Sequence, residues 1–515
     1  MSRFSSGTKY SRVVFLLAWA ILIATVIRAQ SGAPSQTVPP QTIEIDATAA
    51  GRPFPHFWEK MFGSGRAILT LRESYRNDMR ETKRITGFDY VRFHAILHDE
   101  VGIYDEDKDG MPVYNFSYVD QIYDGLLKDK VRPFIELSFM PKKLTADPKA
   151  IHPFWYKQNV APPRSWEIWE QMIERFTRHL VDRYGEDEVA QWYFEVWNEP
   201  NIDFWAGNPK ESTYYELYDR TARAIKRVSP RLRVGGPSTA QAAWVDRFIR
   251  HAAEKNVPVD FVSTHVYGND LSTDVFGTKE VIPRNQMVCR AARKVFDQVK
   301  ASAKPDLPII WSEYNASYMN EQNVTDALYM GPWLADTIRQ CDGLAEMWSY
   351  WTFSDVFEEQ GVVKQPFYGG FGLLAVGGLP KPSFNAFAIL HLLGDQRLLS
   401  VSSDSALVTR RSDGVLVIAL WNLVPPGETG VPRSVRLHFK GLSGAGGVRM
   451  WRVDQEHSDV LPAYEKMGRP QYPTTAQLNE LRRAGALAAP ETLTLKDGEL
   501  LVLIPSSGLA VIEIH

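Results

Sequence analysis

The alternation of two residue periods is the feature that most restricts what this chain can fold into. Eight short runs rich in β-branched and aromatic residues stand at 57–63, 88–95, 131–139, 192–198, 232–236, 260–268, 307–315 and 344–351. Stretches with apolar residues at helical spacing, such as YVDQIYDGLLKD, WEIWEQMIERFTRHLVDRYG and YYELYDRTARAIKRVS, lie between them. Eight strands with helices between them predict a (β/α)8 TIM barrel over residues 51–390. A doubly wound open sheet is the competing arrangement, but no glycine-rich phosphate turn follows the first run.

The pattern changes on both sides of that core. From 391 to 515, short alternating runs such as SALVTRRSDGVLVIALWNL and ELLVLIPSSGLAVIEIH are punctuated by Ser412-Asp413-Gly414 and Ser506-Ser507-Gly508. They predict a C-terminal β-sandwich. Residues 41–50 hold a strand-like QTIEIDA that can join it. The segment 462–487 interrupts the sandwich pattern, and the sequence assigns it no role. At the other end, Arg3, Lys9 and Arg12 precede an uncharged apolar run at 13–27 and small residues near Ala29. That order describes a signal peptide over 1–29, followed by a polar linker at 30–40. A secreted or periplasmic protein is expected. Retention of 13–27 as a membrane anchor is the alternative, because the run is long for a signal and short for a span. Cys289 and Cys341 are the only cysteines. They can pair, but no disulfide framework depends on them, and no metal-ligand spacing appears. The reading calls for no cofactor and no metal.

A formal net charge of −3 leaves no electrostatic footprint for nucleic acid. In a barrel the site is built at the C-terminal ends of the strands, so polar residues that end strands are the candidates. Strand four closes as QWYFEVWNEPN, which puts Asn198 and Glu199 at its tip. Strand seven carries Glu313 within IIWSEYNAS. Strand two ends near His94, strand six carries His265 and Tyr267, and strand eight ends at Trp351. Two carboxylates facing one pocket suit cleavage of a glycosidic bond: one protonated to assist the leaving oxygen, one ionised to attack or to activate water. A barrel-mouth ion pair with a distant arginine, such as Arg92, is the competing reading for either glutamate.

FEVWNEPN followed by SEYNASY resembles glycoside hydrolase family 39, a retaining family that includes β-xylosidases and α-L-iduronidases. The resemblance extends through HDEVGIYDEDKDGMPVYNFSYVDQIYDGLL, RPFIELSFMPKKL, VPVDFVSTHVYG and FYGGFGLLAVGGLPKPSFNAF, over about residues 85 to 390. WNEP alone is shared by related barrel families; SYWTFSDVFEE with FMPKKL is more specific and looks like the β-xylosidase branch. The resemblance implies a carbohydrate substrate, with Glu199 as general acid/base and Glu313 as nucleophile. It further implies that Asn198 binds the sugar 2-hydroxyl, that Tyr267 orients Glu313, and that His94 and His265 meet sugar hydroxyls as neutral imidazoles. Trp351 would be the sugar platform, and Phe204 and Tyr318 would add aromatic surface. One of Glu358 and Glu359 would touch substrate, and the sequence does not choose between them. A relative acting on arabinosides, uronides or an exopolysaccharide is the alternative, as is a non-catalytic carbohydrate-binding barrel.

Glu195 and Glu136 are expected to be buried and partnered, deeper in the barrel than substrate reaches. A uronide would need a cation near its carboxylate, and Lys142 and Lys143 are the basic residues that follow strand three. Asn115, Asn315 and Asn323 have the glycan-acceptor pattern. A glycan on Asn315 would argue against the site.

Overall fold

The computed structural model describes residues 39–401, 403–442 and 447–515. The signal peptide or anchor expected at 1–29, and nearly all of the linker, lie outside the described residues. Strands β1 (Met61–Gly63), β2 (Tyr90–Phe93), β3 (Arg132–Leu137), β4 (Tyr193–Val196), β5 (Arg233–Thr239), β6 (Phe261–Tyr267), β7 (Ile309–Asn315) and β8 (Met347–Tyr350) close in sequence order into a barrel. Every pairing around it is parallel. The first predicted run, 57–63, is only half strand: Phe57–Glu59 form a 3-10 turn before β1. An extended backbone would send Phe57 and Trp58 to opposite faces. The turn buries both, Phe57 against Trp348 and Trp58 against Phe54.

Because strand side chains alternate, the inward residues stack in layers. Met61, Phe134, Tyr193, Phe261, Ile310 and Met347 plug the N-terminal end as one apolar cluster. Two positions further along come Glu136, Glu195, Ser263 and Ser312, and Arg92 two past Tyr90, which packs against that cluster; all five are buried. Another step along β2 and β6 brings His94 and His265 to the level of the mouth. An irregularity between Thr264 and His265 sets His265 opposite Glu313 on β7. Glycine is needed at the end of β1, where a Cβ on Gly63 would lie 2.1 Å from Cε3 of Trp351.

Beyond the barrel, a seven-stranded and a three-stranded sheet share a core that includes Ile45, Ile418, Leu437 and Ile512. The leading strand Gln41–Asp46 runs parallel to Arg433–Lys440 in the smaller sheet. Gly51–Pro53 pairs with Gln396–Leu398 in the larger one. Residues 51–53, expected in the barrel, therefore belong to the C-terminal sheet. The segment 462–487 contains most of helix Leu461–Lys466 and all of helix Thr475–Ala484. Tyr464 and Leu481 pack on Phe367, Ala375 and Leu379, bracing the long loop that follows β8. Cys289 and Cys341 are bridged, joining helices Arg284–Lys300 and Met330–Cys341.

Candidate active site

A cavity of about 390 Å³ opens at the C-terminal ends of the barrel strands. Glu199, Glu313, His94, Asn198, Phe204, Tyr267, Tyr318, Trp351 and Glu359 all line it. Glu199 follows β4 at a turn where Trp197 and Glu199 both have positive φ, 72° and 45°. A non-glycine residue held there costs of order 1 kcal/mol or more, and the surrounding structure must impose it. Here the Glu199 amide is tied to the Ser238 carbonyl at 2.8 Å. Glu313 comes from β7, and one carboxylate oxygen of each glutamate lies within 4.8 Å of the other.

The two carboxyls have different neighbours. His265 Nδ1 is 3.0 Å from Glu199 Oε1. Burial, and then the charge of Glu313, push the Glu199 carboxyl well above its ordinary value. Glu313 is also raised by burial, but Arg92, His94 and a hydrogen bond from the Tyr267 hydroxyl all act to lower it. Arg92 Nη1 donates to Glu313 Oε1 at 2.7 Å, and Tyr267 donates to Oε2. The proton shared by the pair therefore resides on Glu199, and the charge on Glu313.

Arg92 is the hub beneath them. It reaches Glu195 at 2.6 Å and Glu136 at 2.7 Å, and donates to Asn198 Oδ1 at 3.0 Å. Glu195 and Glu136 are fully enclosed partners of this arginine. Glu313 forms the ion pair that was the competing reading for it, yet still borders the cavity. With Oδ1 of Asn198 occupied by Arg92, its amide N–H groups are left for a ligand.

Two expectations are corrected by this geometry, and one open choice is decided. His265 does not border the cavity: it is wholly buried, with Nδ1 on Glu199 and Nε2 3.0 Å from Ser312 Oγ. Burial and Arg92 hold it far below the usual imidazole range, so it is neutral, but it stands behind Glu199, away from the cavity. His94 does border the cavity, 4.8 Å from Trp351 between ring centroids. Burial opposes its charge, but Glu136, 2.6 Å from Nδ1, outweighs that and raises its pKa. It is thus biased toward imidazolium, where a neutral ring was expected. Between the paired glutamates, Glu358 is held by Arg66 and Arg72 and does not line this cavity. Glu359 does, 3.6 Å from His94 Nε2, its carboxyl pushed up by burial to about 8.

Trp351 lies over the Arg92 guanidinium, 5.6 Å from its ring centroid, and meets Phe357 edge to face. Phe204 stacks on His152 at 4.1 Å. Tyr318 is half exposed at the rim, edge-on to Tyr267. The cavity also takes in His152, Gln241, Asp270, Gln360 and Phe371, which sequence reasoning missed. Asp270 lies three residues past the end of β6, so the strand-end rule could have found it; His152 lies in a loop and Gln241 in the short 3-10 turn Ala240–Ala242, with no comparable signal. Asn315 is buried, its amide donating to the Trp351 carbonyl, and accepts no glycan in this fold. Lys143 pairs with Asp105, and among the described residues neither Lys nor Arg lines the cavity.

Glu199, His265 and Glu313 lie close enough together to hold a cation, but the Arg92 guanidinium already occupies the charge-balancing position beside Glu313. A barrel-mouth pocket with one carboxyl kept protonated and another kept ionised is a glycosidase site. The chain belongs to glycosyl hydrolases family 39, whose model matches residues 41–494. It is 36% identical over 475 residues to a beta-xylosidase of Geobacillus stearothermophilus, covering 90% of this chain and 93% of that one. A beta-xylosidase of Caldicellulosiruptor saccharolyticus is 37% identical over 444 residues, 84% of this chain and 88% of the relative. The crystal structure of a monomeric beta-xylosidase from Caulobacter crescentus CB15 superposes with a TM-score of 0.83 at 34% identity, covering 92% of this chain and 99% of that one.

Proposed function

We infer that this protein is a retaining β-xylosidase, cleaving β-xylosidic bonds of xylo-oligosaccharides or xylosides by double displacement. The observation that carries the mechanism is the approach of the two carboxyls, within 4.8 Å between oxygens. Retaining enzymes hold the pair about 5–5.5 Å apart, whereas inverting ones need about 6.5–9.5 Å to admit a water. Glu313 attacks the anomeric carbon while Glu199 gives its proton to the leaving oxygen. Glu199, now ionised, takes a proton from water, which attacks the glycosyl-enzyme and releases Glu313. Arg92 and Tyr267 receive the carboxylate as it re-forms, and the Asn198 amide is free to donate to the 2-hydroxyl.

The choice of sugar rests on the extent of likeness to the two beta-xylosidases and on the lining of the cavity. No lysine or arginine stands in that lining, and the one cation-prone side chain there, His94, is already tied to Glu136, which disfavours the uronide carboxylate of the iduronidase-like alternative. The test is hydrolysis of a panel of aryl glycosides by the wild type and by Glu313→Gln, with the anomer of the first product read by NMR. The expected result is preference for the β-xyloside, β-xylose as first product, and loss of turnover in the variant. An α-anomer first product would overturn the mechanism, and preference for a uronide would overturn the sugar.

Export is part of the proposal. The basic, apolar and small-residue order of the first 29 residues supports it, as does the Cys289–Cys341 bridge, since such bridges persist in oxidising compartments. Fractionation with N-terminal sequencing tests it: a mature chain starting near residue 30 outside the cytoplasm is expected, and an unprocessed cytoplasmic chain would refute it.

A further inference from the structure

At the opposite end of the barrel from the catalytic cavity, three side chains converge that the hydrolysis does not use. Glu59 ends the 3-10 turn before β1, His56 is the residue that caps that turn, and His391 directly follows helix Pro382–Leu390. Nδ1 of His56 is 2.6 Å from Glu59 Oε1, and Nδ1 of His391 is 2.8 Å from the same oxygen. One ligand atom from each residue lies within 4.8 Å of the others.

Glu59 is the unusual member. It is 3% exposed, yet among the described residues no lysine or arginine lies within ion-pairing distance. Several other buried acids of this protein have one: Arg92 serves Glu136 and Glu195, Lys381 serves Asp326 and Asp355, and Arg411 serves Glu513. Its second oxygen, Oε2, is buried with no hydrogen-bond partner at all. Leaving an ionised oxygen in that condition is costly, and proteins satisfy it with a cation or a donor. The His56 ring is stacked on Trp58 at 4.5 Å, which fixes its plane. The His391 side chain is 45% exposed, so an ion has a route in and the ring has room to adjust.

We propose that His56, Glu59 and His391 form a binding site for a divalent transition-metal cation of the zinc type. Two imidazole nitrogens and one carboxylate oxygen suit such an ion, with water as the fourth ligand. At bond lengths of about 2.0–2.2 Å the ligand atoms stand roughly 3.2–3.5 Å apart, so the two nitrogen–oxygen contacts open by about half an ångström as the ion replaces the hydrogen bonds. The site clips the start of the barrel to the residue after its last helix. It therefore stabilises the fold and takes no part in turnover. Sequence reading missed it because His391 lies 332 positions from Glu59.

The test uses tag-free, full-length enzyme, stripped with chelator and dialysed against zinc. Bound metal is measured by elemental analysis, and the melting temperature with and without zinc by calorimetry. One zinc per chain is expected, raising Tm by about 3 °C at a hundredfold excess over Kd. Glu59→Gln and His391→Ala should each abolish this binding and the Tm shift, with kcat on an aryl glycoside unchanged. Glu313→Gln should keep both, and cobalt in place of zinc should give a tetrahedral visible spectrum that the His391→Ala protein lacks. Absence of zinc from the wild type, or its retention in both variants, would overturn the proposal. Loss of zinc in Glu313→Gln alone would do so too, because the ion would then belong to the catalytic carboxyls.

Discussion

Replacing Tyr267 by Phe tests how the catalytic site divides one proton between two carboxyls. The phenol donates to Glu313 Oε2, while Arg92 holds Oε1 from the other side at 2.7 Å. A donor to the charged form of an acid lowers its pKa, so removing the hydroxyl raises that of Glu313. A hydrogen bond to an ionised acceptor contributes about 1.5–3 kcal/mol, and 1.36 kcal/mol corresponds to one pH unit. The acid limb of kcat/KM, which requires ionised Glu313, should therefore move up by about 1–2 pH units. The alkaline limb requires a proton on Glu199, whose main perturbations are burial and the charge of Glu313; that charge persists in the variant. It should move less. Because the groups interact, both limbs belong to the pair, and the comparison to make is between the two displacements. A second consequence concerns the intermediate: the phenol receives the carboxylate as water releases it, so loss of the hydroxyl slows deglycosylation and an aryl xyloside should show a burst of phenol. Rates across pH 3–10 for both proteins provide the assay. An unmoved acid limb, or a larger shift of the alkaline limb, would refute the assignment of charge to Glu313.

Glu199→Ala should lose about 10²–10⁴ in kcat/KM on substrates with poor leaving groups and little in the glycosylation step with good ones; equal losses on both, measured with aryl and alkyl xylosides, would remove Glu199 from the acid role. Burial pushes the Glu359 carboxyl up to about 8, so at neutral pH it is mostly protonated and, on the proposed reading, would donate to substrate. Glu359→Gln should thus hold KM within a few-fold near pH 6.5, whereas Glu359→Ala raises it about 10-fold or more. Lys381 is wholly buried between Asp326 at 2.7 Å and Asp355 at 2.8 Å. Lys381→Met leaves two enclosed carboxylates and should cost about 3–5 kcal/mol, seen as a melting temperature lower by about 3–5 °C. The Cys289–Cys341 bridge closes a loop of 52 residues, so the double Ser variant should lose about 4 kcal/mol on the chain-entropy account; unchanged stability under reducing and oxidising conditions would contradict a formed bridge.

The barrel was legible because its two periods are local. A strand repeats its faces every two residues and a helix every 3.6, so eight alternations appear in the chain before any contact forms. The same rule, applied to strand ends, placed Glu199, Glu313, Asn198 and Trp351 among the candidates, and the structure brings all four to one cavity. It also placed Glu195 and Glu136 below them, where Arg92 encloses both. Where the reading failed or left a choice open, the deciding contact was not local. The run at 57–63 bends because Phe57 and Trp58 find partners beneath the barrel. Glu358 and Glu359 are adjacent and chemically identical; Arg66 and Arg72 decide between them.

By itself, then, the amino-acid order determined the architecture and the identity of the two carboxyls, since both follow from periodicity and from position along a strand. Tertiary structure alone decided their protonation. A carboxyl's pKa depends on burial and on charges a few ångströms away. For Glu199 these include Glu313, 114 residues onward, and for Glu313 they include Arg92, 221 residues back. The tertiary fold likewise set His265 behind Glu199, away from the cavity, and raised the pKa of His94 through Glu136. Coulomb and desolvation energies are set by distance in space, and only the closed barrel supplies those distances.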